Sequence, residues 1–241
     1  MIMSATRLSL SALLVCALLA MSARADVIFQ TDFTGANGTI PADTTLTLGT
    51  TAIMAISGNQ LRNGAIGTPR LVYTGTSAAT LTDYTVDCDI YRANGGGWLG
   101  LVARAQTSGT DQSAYLLRLN RAGVGQPFNL LQLVRLSATG VETTLDTETL
   151  TENYVAPNIW HLTLSVIGSS ITGSILNTGG TQVGQVSATD ATLTSGTAGC
   201  HAQYGAANIY DNLVINTIPE PASLGLLAAG GLLLASPRRL R

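Results

Sequence analysis

The chain has 241 residues, a formal net charge of −2 and only 11% charged residues, and all twelve of its basic residues are arginine. A balance on the acidic side gives nucleic acid no electrostatic footing, which excludes a nucleic-acid partner. The positive mean hydropathy of +0.30 is carried in part by the two ends, which have to be set aside before the middle is judged.

At the start, Arg7 precedes an apolar run over 8–21, and Ala23-Arg24-Ala25 follows. Ala23 and Ala25 are the small residues that a signal peptidase reads, so cleavage is expected between Ala25 and Asp26, with 1–25 as a signal peptide. An uncleaved anchor is the alternative. The run would rise about 21 Å as a helix, against about 30 Å of hydrocarbon, which favours removal.

The stretch 26–216 reads as one domain, large enough to bury a substantial core. It holds seven arginines against thirteen Asp and Glu, a balance of −6. No long segment keeps a 3.6-residue apolar period; short apolar runs alternate with Gly, Asn, Thr and Ser. Strands are therefore expected at 27–33, 45–57, 70–73, 84–92, 98–106, 114–120, 129–136, 142–147, 160–167, 170–176, 182–187, 198–204 and 207–215. Turn signals separate several of them, at 94–97, 168–169 and 177–180. So many short strands in hairpin sequence predict an all-β fold, a two-sheet antiparallel sandwich with a jelly-roll path. An immunoglobulin-like sandwich is the runner-up, and the strand count disfavours it.

Along these strands the residues that could carry chemistry are few. Asp87 and Asp89 share a strand face, without a further Glu to complete an acid/base pair. Alternation puts Trp98, Arg104 and Gln106 on one face and Arg118 on a face of the next strand, with Gln132 beyond. These five could line a cleft floor that offers a sugar an aromatic ring and hydrogen-bonding groups. The competing reading makes Trp98 core and the arginines surface charges. Glu142, Asp146, Glu148 and Glu152 are evenly spaced and read as a solvated face. The histidines, His161 and His201, show no metal-ligand spacing, and neither Gly-x-Ser-x-Gly nor His-Glu-x-x-His occurs. Cys88 and Cys200 each fall on the apolar side of a strand, as a disulfide pair or as two separate buried thiols.

The segments Asp83-Tyr84-Thr85-Val86, Gly97-Trp98-Leu99-Gly100-Leu101-Val102, Tyr115-Leu116-Leu117-Arg118-Leu119, Trp160-His161-Leu162-Thr163-Leu164 and Asp211-Asn212-Leu213-Val214-Ile215 together resemble the concanavalin A-like, laminin-G-like jelly rolls of secreted bacterial proteins. That resemblance implies a sugar-binding, glycan-cleaving or adhesive domain. It also implies a structural calcium where first and last strands meet, with Asp32, Asn59 and Asp211 at the corresponding places. The alternating carboxylates of glucan-cutting enzymes in this fold class are missing, so no catalytic residues are assigned.

The tail, 217–241, has Pro219-Glu220-Pro221, an uncharged apolar stretch over 222–235, and a basic end with Arg238, Arg239 and Arg241. This order resembles the PEP-CTERM sorting signal. The resemblance implies an exosortase-type membrane peptidase as partner, transient insertion in the inner membrane, and delivery to the surface or extracellular matrix of a Gram-negative bacterium. The expected function is a non-catalytic exported protein whose jelly roll binds carbohydrate or associates with exopolysaccharide. A glycan-active hydrolase or lyase and a purely structural or adhesive protein are the alternatives.

Overall fold

Apolar alternation becomes strands here because each strand has a core to face. In β6 (Tyr84–Arg92) every second residue, from Tyr84 through Val86, Cys88 and Ile90 to Arg92, is buried, while Thr85, Asp87, Asp89 and Tyr91 are only partly covered. The computed structural model describes residues 25–50, 52–92, 97–121, 123, 125–203 and 208–218. Ala23 of the signal peptide and the whole sorting motif, Pro219, Glu220, Pro221, Arg238, Arg239 and Arg241, lie outside the described residues, as does most of the turn at 94–97.

The other strands are β1 (Val27–Thr31), β2 (Thr44–Leu48), β3 (Met54–Ile56), β4 (Leu61–Asn63), β5 (Arg70–Tyr73), β7 (Leu99–Ala105), β8 (Ala114–Arg121), β9 (Phe128–Leu136), β10 (Glu142–Tyr154), β11 (Trp160–Ile167), β12 (Ser170–Leu176), β13 (Gln182–Thr189), β14 (Thr197–Ala202) and β15 (Asn208–Thr217). They form two antiparallel sheets. Sheet A runs β13-β12-β11-β6-β15-β4-β3, with β1 also paired to β15; sheet B runs β10-β9-β8-β7-β14-β5-β2. Consecutive strands repeatedly change sheets, the path of a jelly roll.

Between the sheets, Leu101, Leu117 and Leu133 of sheet B meet Val86, Leu164 and Ile171 of sheet A, with Trp160, Tyr84 and Tyr210 filling the wider gaps. The alternate positions of sheet B carry a second apolar cluster, including Val72, Trp98, Val102, Leu116 and Val134. Strands β7 and β14 are consequently buried at every position, on both faces.

Two sequence expectations change. The single strand foreseen at 45–57 is two, β2 in sheet B and β3 in sheet A, because the chain crosses between sheets after Gly49, whose φ of +81° suits glycine. The even row of carboxylates on β10 does not share one face. A bulge between Thr144 and Asp146 reverses the side-chain parity, so that Glu142 faces away from the core. Asp146 Oδ2 then accepts the Ser187 amide at 2.8 Å, and Glu148 accepts the amide of Gln185. These carboxylates close the open edge of β13, the exposed feature through which sandwiches otherwise associate.

Of the two alternatives for the cysteines, the structure has the second: Cys88 and Cys200 are free buried thiols and not a disulfide. They stand on opposite sheets, and the Cys88 thiol donates to the Asp211 carbonyl at 3.1 Å. Burial, with the neighbouring Cys200 thiol, holds Cys88 well above the usual thiol range.

Candidate functional site

The outer face of sheet B, turned away from the main core, holds the densest set of converging polar groups. Arg118 on β8 stands directly between Gly100 of β7 and Gln132 of β9. Its guanidinium grips Glu142 in a two-pronged ion pair, with both N–O distances 2.9 Å. The remaining Nε donates to Gln132 Oε1 at 3.0 Å, and the same oxygen accepts Asn120 Nδ2 at 3.0 Å. Planar pairing of this kind fixes the orientation of both side chains.

Below this pair lies Trp98, its ring centre 5.1 Å from the Arg118 guanidinium and 4.9 Å from the ring of His201. Trp98 is only 4% exposed and Arg118 7%. The indole is therefore a floor covered by a cation, not an open stacking platform. His201 donates from Nδ1 to the Pro69 carbonyl at 3.0 Å, and burial, then the charge of Arg70, keeps it neutral. A depression of about 430 Å³ opens beside these groups, lined by Gly97, Trp98, Arg118, Asn120, Arg121, Glu142 and Gln203.

Of the five residues expected to share a cleft floor, Trp98, Arg118 and Gln132 come together and Arg104 and Gln106 do not. The pairing of β7 with β14 shifts between Thr197 and Gly199, and Arg104 takes a φ of +47°. This bulge turns its guanidinium to the Thr82 carbonyl (Nη2, 2.8 Å) and the Leu193 carbonyl (Nη1, 2.7 Å). Gln106 follows it, donating to Ser195 O at 2.9 Å. Both are structural ties. Glu142, which pairs with Arg118 24 residues away, had no sequence signal beyond its charge.

Of the residues expected to hold calcium, Asp32 and Asp211 lie near enough for their charges to interact. Asp32 Oδ1 is occupied by the Thr34 amide and hydroxyl at 3.1 and 2.8 Å, and Asn59 sits in a left-handed turn with φ +58°. Asp211 is pushed up by burial, with Asp89 and Asp32 adding to the rise against its hydrogen bonds. Calcium takes about six to eight oxygens. Among the described residues no cluster of three His, Cys, Asp or Glu suited to a metal occurs.

On the outer face of sheet A, His161 lies between two carboxylates, with Nδ1 2.8 Å from Asp89 Oδ1 and Nε2 3.7 Å from Asp87 Oδ1. Asp87 and Asp89 push it up to about 9 against the opposing effect of burial. The folded value lies above the unfolded one of about 6.5. The stabilisation is thus fully present below about pH 6.5 and lost as pH rises through about 9. Melting curves of the wild type and His161→Gln are expected to converge over that interval; a gap that stays constant to pH 10 would remove the ion pair as its cause.

No protein-family model matches the sequence, and no curated protein matches it as a relative. Solved structures do share the fold. A Bacillus subtilis protein of unknown function with a galectin-like fold superposes with a TM-score of 0.60 at 11% identity, covering 82% of this chain and 100% of that one. The carbohydrate-binding module CBM66 from Bacillus subtilis gives 0.56 at 16% identity, covering 73% and 96%. The fold is a galectin-like, concanavalin A-type jelly roll. A xylan β-1,4-xylosidase from Bacillus halodurans C-125 gives 0.57 at 12% identity, with 77% of this chain covered but only 38% of the enzyme. A galectin-like sandwich thus occurs in a binding module and as part of an enzyme, and the residues have to decide between the two.

Proposed function

We propose that the jelly roll is a non-catalytic carbohydrate-binding domain that uses the outer face of sheet B, and that the protein is exported to the cell surface or extracellular matrix. The observation that carries the binding reading is the Arg118–Glu142–Gln132–Asn120 network over Trp98 beside an open depression, on a fold shared with a carbohydrate-binding module. Polar groups held rigidly at the edge of a shallow site are what orient a sugar's hydroxyls. Hydrolysis in this fold would need a second carboxylate across the site; of the lining residues only Glu142 is one, and Arg118 already holds it.

A glycan array tests the binding. Arg118→Ala is expected to weaken binding at least tenfold, because it frees Glu142 and uncovers Trp98; unchanged binding in that variant would move the site elsewhere. New reducing ends released from matrix polysaccharide would turn the reading to an enzyme. Export is supported by the leader before Asp26 and the Pro219-Glu220-Pro221 tail. Intact mass of the native protein should show a species beginning at Asp26 and ending near Pro219, formed only where an exosortase-type peptidase is present. A species that keeps Arg241 in the inner membrane would make the tail a plain anchor and remove the matrix assignment.

A further inference from the structure

Resting on the carbohydrate reading, we infer that the ligand is an acidic saccharide, whose carboxylate or sulfate group is received at the Trp98–Arg121 side of the depression on sheet B. Donors on this side of the depression lack acceptors. Trp98 lines the depression, is almost wholly buried, and its Nε1–H has no hydrogen-bond partner. An indole nitrogen only donates, and this one is wholly covered, so it is an unpaired donor beneath the depression and not itself a point of ligand contact.

Arg121 lines the same depression. Its guanidinium rests 5.6 Å from the ring centre of Phe128, and it has no carboxylate partner among the described residues. Arg118 contributes no free charge, because Glu142 takes both of its terminal nitrogens. The lining therefore keeps one uncompensated cation. Behind Trp98, across the His201 ring, lies a second incompletely paired cation. Arg70 is fully buried beside His201 in the β5–β14 pairing, and its Nε and Nη1 have no partner while Nη2 donates to the Gln112 carbonyl. Arg92 Nη1 donates to the Gly97 carbonyl at the rim.

Arg118 and Arg121 thus line the depression, in a domain whose overall balance is −6. A neutral sugar could use the hydroxyl-directed groups Asn120 and Glu142 but would leave Arg121 without a counter-charge. A uronate or sulfated sugar offers oxygens that only accept, which matches donors that only donate. Charge pairing in an open site is also screened by salt, which gives the inference a signature that neutral sugar binding lacks.

The experiment measures binding of the full chain to matched polymers: polygalacturonate against its fully methyl-esterified form, and dextran sulfate against dextran. The two pairs separate carboxylate from sulfate as the source of charge. The charged member of at least one pair should bind at least tenfold more tightly, weaken as salt rises, and change tryptophan fluorescence through Trp98. Arg121→Gln should abolish the preference, whereas Arg62→Gln, at a site that faces Gln60 and Ser57 instead, should keep it. Equal binding of charged and neutral members overturns the inference and leaves sugar binding standing. A preference that survives Arg121→Gln overturns the assigned place. No binding to any of the four overturns the inference, and the array then reports whether carbohydrate binding falls with it.

Discussion

Arg104→Met is expected to lose about 3–5 kcal/mol of folding stability, with carbohydrate binding unchanged wherever the variant is still folded. The guanidinium is 1% exposed and ties three pieces of chain that are distant in sequence: its own strand, the Thr82 carbonyl and the Leu193 carbonyl. Methionine fills the volume of the stem but donates nothing, so both carbonyls lose a charge-assisted bond at once. The same bulge places the Arg104 amide 2.6 Å from the Tyr84 hydroxyl, which in turn donates to Gly196 O at 3.1 Å. The variant is therefore expected to loosen the sandwich end formed by β6, β7 and the segment before β14. Urea denaturation checks this through a lower midpoint at an unchanged slope. A loss below about 1 kcal/mol would mean that water replaces the guanidinium at both carbonyls.

The reason Arg104 looked like a binding residue shows what was legible in the sequence. Period-two alternation holds wherever strands pair without interruption, and there it located the core: Val86, Cys88 and Ile90 on β6, and Leu162, Leu164 and Val166 on β11, all face inward. Trp98, Arg118 and Gln132 were brought to one site by the same rule. It failed beyond the first bulge. Arg104 changed face because β7 carries one residue more than β14 between the Val102–Gly199 and Ala105–Thr197 pairs, an irregularity that period-two alternation along β7 does not announce. Glu142 was separated from Asp146 and Glu148 in the same way, by a bulge opposite β9. Exposure of Trp98 was illegible for a different reason: a cation above a ring is set by the rotamer of a residue 20 positions on, and local pattern carries no such information.

Gly100→Ala is expected to cost at least the upper end of the ~1–3 kcal/mol typical of overpacking, and to abolish carbohydrate binding as well. A methyl group at this position would fall on the Leu117 carbonyl oxygen and within 2.9 Å of the Arg118 Cα. Those are backbone atoms of the neighbouring strand, so no side-chain rotation relieves the contact, and β8 has to move away from β7. Arg118 is Gly100's partner in the ladder and moves with it, which breaks the alignment of its guanidinium with Glu142 and Trp98. Gly173→Ala provides the contrast. There the added methyl meets the side-chain end of Leu117, which can turn within the core, and Gly173 lies on sheet A, away from the depression. Gly173→Ala should therefore lose less stability and keep its affinity. If both variants lost stability but Gly100→Ala still bound glycan normally, the register between β7 and β8 would not be what positions Arg118, and the binding site would have to lie on another face. If Gly100→Ala alone loses both properties, the close approach of these two strands is what builds the site, and the small residue in β7 is there to let Arg118 stand over Trp98.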